Sequence, residues 1–156
     1  MATEIERKFL LANDNWRKLA DAGQHLAQGY LIGAAQASVR VRIEGEQANL
    51  NIKSATLGIH RQEYEYLIPL EEAREILDTL CEKPIIEKVR YHVKHGKHTW
   101  EIDVFEGDNA GLIVAEIELE HVDEEFAHPE WLGKEVSEDV RYYNVNLVKH
   151  PYKDWR

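Results

Sequence analysis

Apolar and polar residues alternate with period two over seven stretches: Glu4–Leu10, Ser38–Glu44, Gln47–Ser54, His60–Ile68, Ile85–His95, Lys97–Glu106 and Ile113–Val122. Successive side chains of a strand point to opposite faces, so each stretch predicts a strand with two unlike faces. Gly45–Glu46 links the second stretch to the third, and Gly96 separates the fifth from the sixth. Both predict tight hairpins, hence a largely antiparallel sheet. Three segments follow the helical period instead. Asn13 or Asp14 is placed to cap a helix carrying Trp16, Leu19 and Ala20 and ending at Gly23. After Pro69, Ala73, Ile76, Leu77 and Leu80 form an amphipathic stripe. Val140, Tyr143, Leu147 and Val148 suggest a last helix before Pro151. The outline is seven or eight strands with a few helices laid on the outside.

Splitting the strands by parity gives two faces of opposite character. One carries Ile5, Arg7, Phe9, Val39, Val41, Ile43, Leu50, Ile52, Tyr64, Tyr66, Val89, Tyr91, Trp100, Ile102, Val104, Ala115, Ile117 and Leu119, with Arg7 its single charge. We read Tyr64, Tyr66, Tyr91 and Trp100 as outer core beneath helices. The other face carries Glu4, Glu6, Lys8, Arg40, Arg42, Lys53, Arg61, Glu63, Glu65, Lys88, Arg90, Glu101, Asp103, Glu116, Glu118 and Glu120. A sheet with one face in water is the plain explanation of such a pattern. Against it, a solvated face usually mixes Ser, Thr, Asn and Gln with its charges, and the helices need an apolar face to pack on. If the sheet curls shut with helices outside, the charged face becomes the lumen of a barrel. Unpaired charge there is costly unless it pairs or binds ligand. The basic positions suit a chain of phosphates. The acidic ones alone would repel it, which implies a divalent cation with hard oxygen ligands, Mg²⁺ or Mn²⁺.

Composition narrows the classes. A length of 156 residues predicts one domain, residues 1–156, and the sequence carries no linker, internal repeat or low-complexity segment. The net charge of −10 argues against nucleic acid or an anionic membrane as partner, since both are polyanions. The lone Cys81 cannot form an internal disulfide, and no run of about 20 apolar residues occurs, so the expected location is cytoplasmic.

The charged positions, taken in order, are E-x-E-x-K at Glu4/Glu6/Lys8, R-x-R at Arg40/Arg42, Lys53, E-x-E at Glu63/Glu65, K-x-R at Lys88/Arg90, E-x-D at Glu101/Asp103 and E-x-E at Glu116/Glu118. This set resembles the CYTH domain of the triphosphate tunnel metalloenzymes, and the GKEVSEDVRYYN segment at 133–144 is similar to that family's C-terminal motif. The resemblance implies an α+β fold: an eight-stranded antiparallel β-barrel, or tunnel, with a charged lumen and helices packed outside. It implies Glu4, Glu6 and Glu118 as metal ligands, with Glu116 assisting. Lys8, Arg40, Arg42, Lys53, Lys88 and Arg90 would grip phosphates. Glu63, Glu65, Glu101 and Asp103 would orient these bases, bind a second metal, or both. Lys88 is the candidate general acid for the leaving oxygen.

The expected activity is metal-dependent hydrolysis of inorganic triphosphate to pyrophosphate and phosphate by a monomer or homodimer. The alternatives are a class IV adenylate cyclase, a thiamine or nucleoside triphosphatase, and a polyphosphate-binding module without turnover. No aromatic platform is evident on the tunnel face, although the loops Gly33–Ala37, Ser54–Ile59 and Asp108–Gly111 are placed to add contacts. Tyr30 is read as a packed aromatic, Arg61 as either tunnel lining or strand start, and Glu120 as a solvated strand end. Lys134 and Arg141 are candidates to cover the tunnel end. His92 is read as solvated or paired, and Cys81 as a structural thiol.

Overall fold

The computed structural model describes residues 3–34, 36–55 and 59–155. Its strands are β1 (Thr3–Leu11), β2 (Gln24–Gly33), β3 (Ala37–Glu44), β4 (Gln47–Ser54), β5 (His60–Ile68), β6 (Ile86–His95), β7 (His98–Phe105), β8 (Ile113–Leu119) and β9 (Leu132–Glu135). Helix α1 spans Leu70–Thr79 and α2 Asn144–Lys149. The strands follow the order β5-β4-β3-β2-β6-β7-β8-β1-β9, every pair antiparallel, and β1 also pairs with β5. That last pairing closes eight strands into a barrel, and β9 is an extra strand beside β1. One edge of β1 meets β8; the other meets β5 through Thr3–Ile5 and β9 through Phe9 and Leu11. Closure removes the free edges that an open sheet would expose.

Two of the elements differ from the sequence expectation in ways the packing explains. Strand β2 has no clear alternation because its inner side mixes Leu26, Gln28 and Tyr30, and Gly29 faces outward against α1. A Cβ on Gly29 would lie 2.9 Å from Cys81 Sγ and from Leu77, so only glycine lets the helix end sit this close. The segment after Asp14 makes a 3-10 turn over Asn15–Leu19 instead of a helix reaching Gly23. Trp16 is fully buried but Leu19 is exposed, so the turn is anchored by one side chain and not by a stripe. The hairpin glycines behave as expected: Gly45 and Gly96 have φ of 62° and 63°, conformations that disfavour other residues.

The outer apolar face is covered in two places. Ile5, Phe9, Val93, Trp100, Ile102, Ala115, Ile117 and Leu119 pack with Trp16 and Trp131, while Val41 and Ala48 pack beneath Ala73 and Leu77 of α1. Tyr91 and Trp100 join the first of these clusters. Tyr64 and Tyr66, expected under a helix, are exposed: α1 covers β3 and β4 and stops short of β5. The other departure is α2. Leu147 and Val148 pack on Tyr30, Ile86, Phe105, Leu112 and Val114. Ile86, Phe105 and Val114 share strand parity with the charged positions Lys88, Asp103 and Glu116, so they are inward-facing. This helix therefore seats against one end of the barrel instead of lying on its outside. No helix among the described residues is long and apolar enough to cross a membrane.

Leu147 is fully buried in this end cluster. Leu147→Ala is expected to cost about 2–5 kcal/mol of stability. Urea unfolding measures it, and a loss well under that range would mean that α2 is not held by this contact.

Candidate active site

Seven cationic side chains, Lys8, Arg40, Arg42, Lys53, Arg61, Lys88 and Arg90, line one cavity of about 200 Å³ together with seven carboxylates, Glu4, Glu6, Glu63, Glu65, Glu101, Glu116 and Glu118. They come from seven of the eight barrel strands, β1 and β3–β8, while β2 contributes Tyr30 to the lining. The protein is strongly acidic as a whole, yet this cavity is formally balanced. Two expected members stand elsewhere. Asp103 is fully buried behind the wall, and Glu120 is exposed at the end of β8. The expected loop contacts at Ala35 and at Thr56–Gly58 lie outside the described residues.

Pairing within the cavity is uneven. Lys53 Nζ lies 3.1 Å from Glu63 and 3.4 Å from Glu4, and Arg61 lies 3.6 Å from Glu4 and 3.8 Å from Glu6. Arg90 grips Asp103 through two hydrogen bonds of 2.8 and 2.9 Å and donates to Glu101 at 3.1 Å. Lys88 Nζ is 2.7 Å from Asp103. Asp103 thus holds two buried bases in place from behind. By contrast, neither Lys8 nor Arg40 lies within 4.0 Å of a carboxylate among the described residues, and Arg42 reaches only Glu65, at 3.8 Å. The Nε atoms of Arg40 and Arg42 are buried without a hydrogen-bond partner. Buried donors left in this condition are expensive, and an anion supplies what they lack.

The acids divide by their neighbours. Burial raises the Glu6 carboxyl well above the usual range, helped by the adjacent Glu116, to which it is hydrogen-bonded. Burial would raise Glu116 too, but Lys8, the hydrogen bond with Glu6, Arg90 and Lys88 outweigh it and hold the group well below that range. The two neighbours are thus pushed in opposite directions, Glu6 toward its neutral form and Glu116 toward its charged form. Burial also raises Glu4, against the pull of Lys53, and raises Glu118, reinforced by Glu4. On Glu63 the effect of burial is overcome by Lys53 and by hydrogen bonds, which leave it ionised more readily than usual. Burial lowers the Lys88 ammonium to about 8, even with Asp103 beside it.

The sequence reading missed the residues that the tail delivers. Tyr143, Asn144 and Val145 line the cavity, as does Ser38. Lys8 donates to the Tyr142 carbonyl at 3.2 Å, and the Tyr143 ring stands 5.6 Å from Lys8 and 5.5 Å from the Arg61 guanidinium. Asn144 accepts from Lys88 and from Gln28. The RYYN run was visible as a motif, but nothing in its spacing says which barrel end it meets. Asn49 and Asn51 were also missed on the inner side of β4; Asn51 donates to Glu65. Tyr30 is both packed and cavity-lining. Lys134 and Arg141 are exposed, Arg141 paired with Asp139. His92 is paired with Asp21 and Glu101.

The donor set of the cavity suits a hard divalent cation: carboxylates are the preferred ligands of such ions, and the mutual repulsion that helps raise Glu6 beside Glu116 is what a cation between them relieves. Among the described residues, no three carboxylate or imidazole groups already stand clustered as ion ligands.

Comparison with known proteins places this arrangement. An inorganic triphosphatase from Acetivibrio thermocellus is 48% identical over 156 residues, covering 100% of this chain and 99% of its own. One from Nitrosomonas europaea is 38% identical over 153 residues, covering 94% of this chain and 97% of its own. The crystal structure of the inorganic triphosphatase NE1496 aligns with a TM-score of 0.64 and 35% identity, over 92% of this chain and 96% of that one. The family model described as the CYTH domain matches residues 2–152. A closed barrel with charge turned inward, likeness along nearly its whole length and this match agree: the chain belongs to the CYTH domain family.

Proposed function

We propose that the chain hydrolyses inorganic triphosphate to pyrophosphate and phosphate inside the barrel, with Mg²⁺ or Mn²⁺, and that residues 1–156 work as one domain. The observation that carries this reading is the set of cations, Lys8, Arg40 and Arg42, that face an enclosed cavity with little or no carboxylate pairing. A second support is the similarity to relatives named inorganic triphosphatases. The non-enzymatic reading is less favoured, because a simple binder of polyanion gains little from seven carboxylates around it.

In this mechanism Lys8, Arg40 and Arg42 bind phosphate oxygens, and Arg90 and Lys53 complete the grip while anchored by Asp103 and Glu63. Their fixed charges meet the charge that develops on the transferred and leaving groups without having to reorganise. Glu4, Glu6, Glu116 and Glu118 would hold the divalent cation, which supplies neutralisation of phosphate charge when bound. Glu63 and Glu65 act on the attacking water, and Lys53 beside Glu63 keeps that carboxyl more readily ionised than usual. Lys88 gives a proton to the leaving oxygen. Its lowered value keeps it protonated near neutrality yet makes the proton easier to release. Asp103 orients Lys88 and Arg90 and does not touch substrate.

Phosphate release from tripolyphosphate, ATP and thiamine triphosphate, each with Mg²⁺, with Mn²⁺ and with chelator, tests the assignment. Tripolyphosphate is expected to be strongly preferred and inert under chelation. Consumption of ATP without free phosphate would instead point to a cyclase. Glu6→Ala is expected to keep the fold and lower turnover by about 10²-fold or more. Wild-type turnover in that variant would remove Glu6 from the cation site.

A pH profile tests Lys88. Because the protonated amine is the donor, kcat is expected to fall as pH rises through about 8. Lys88→Met is expected to lose about 10²–10⁴-fold in kcat together with that basic limb. A limb that persists in the variant would belong to another group.

A further inference from the structure

Lys88 and Gln28 are both almost completely buried, and both turn toward one oxygen of α2. Asn144, the first residue of that helix, places Oδ1 3.0 Å from Lys88 Nζ and 2.8 Å from Gln28 Nε2. The polarity of the contact is forced. An ammonium has three donors and no acceptor, so the atom of Asn144 that faces it is the carbonyl oxygen. With that oxygen fixed, Gln28 must present its amide N–H₂ to it. Asp103 takes a second ammonium proton at 2.7 Å. The third has no oxygen acceptor among the described residues and is left for a ligand.

We infer that Asn144 is a positioning residue for hydrolysis: it clamps the Lys88 ammonium from the barrel end, with Gln28 locking the clamp, so that the remaining N–H faces the phosphates. The inference rests on the reading above that Lys88 acts on the substrate. Two fixed acceptors on separate elements, Asp103 on β7 and Asn144 on α2, leave the amine little freedom at the end of a four-carbon stem. Asp103 alone would tether it, but would let it swing. A misplacement on the scale of an ångström is enough to cost about 10²-fold in rate. The clamp also gives the seating of α2 a chemical consequence, because the helix that covers the apolar barrel end brings the second acceptor with it.

A double-mutant cycle tests this, with kcat and KM for tripolyphosphate measured for Asn144→Leu, Lys88→Met and the pair. Asn144→Leu keeps the size of the side chain and removes the acceptor. It is expected to lower kcat by about 10–100-fold with KM within about threefold. In the Lys88→Met background, the same substitution is expected to cost almost nothing more, since residues that act through one another are not additive. Gln28→Met, which leaves α2 untouched, should give a smaller kcat loss that also vanishes in that background. Thermal unfolding of each variant establishes that folded proteins are being compared. If Asn144→Leu lowers the melting temperature too far for assay, the Gln28→Met cycle decides alone. Full kcat in Asn144→Leu, or a loss that persists without Lys88, would overturn the inference and reduce Asn144 to a packing residue. Full kcat in Lys88→Met would instead strike down the reading of Lys88 on which the inference stands.

Discussion

Seven cations and seven carboxylates turned into one cavity set the terms for the rest of the molecule. Charge removed from water is tolerated only when it is paired or liganded, and the attraction within a pair often does no more than offset the desolvation. The barrel meets this condition incompletely. Lys53, Arg61, Lys88 and Arg90 are matched to acids, and Asp103 supports two of them from behind. Lys8 and Arg40 are not. What remains unmatched is a demand for anionic oxygen on one set of residues, and a demand for positive charge between Glu6 and Glu116. A triphosphate with its cation answers both demands at once.

Closure is what turns a charged sheet face into such a site. The decisive pairing is β1 with β5, where Glu4 stands opposite Arg61. Without it, the same side chains would face water, where exposed ion pairs are worth little and phosphate is held weakly. Strand β1 is central for this reason. It carries Glu4, Glu6 and Lys8, and it joins β5, β8 and β9 along its two edges.

The C-terminal segment then combines structure with chemistry. Leu147 and Val148 bury the apolar end of the barrel, and the residues just before them touch Lys8, Arg61 and Lys88. Packing energy and site geometry are therefore not separate contributions here. The same short segment, residues 142–148, provides both.

Much of this was legible in the chain. Period-two alternation found the strands that carry the charges, because an inward face and an outward face of a barrel impose unlike chemistry on neighbouring residues. The parity split named every carboxylate, lysine and arginine that lines the cavity, from Glu4 to Glu118. Strand β2 escaped because its inner positions, Leu26, Gln28 and Tyr30, pack and hydrogen-bond instead of carrying charge. Tyr64 and Tyr66 were placed under a helix because parity gives a face but not what covers it. Asp103 has the parity of a lining residue, yet two bases in front of it hide it from the cavity, and only distances reveal that. The sequence by itself determined the alternation, hence the two faces and the residues on each, since these depend on local geometry. The tertiary structure decided which cations stay unpaired, which acids are forced together and where residues 142–148 come to rest, since these depend on contacts between positions far apart in the chain.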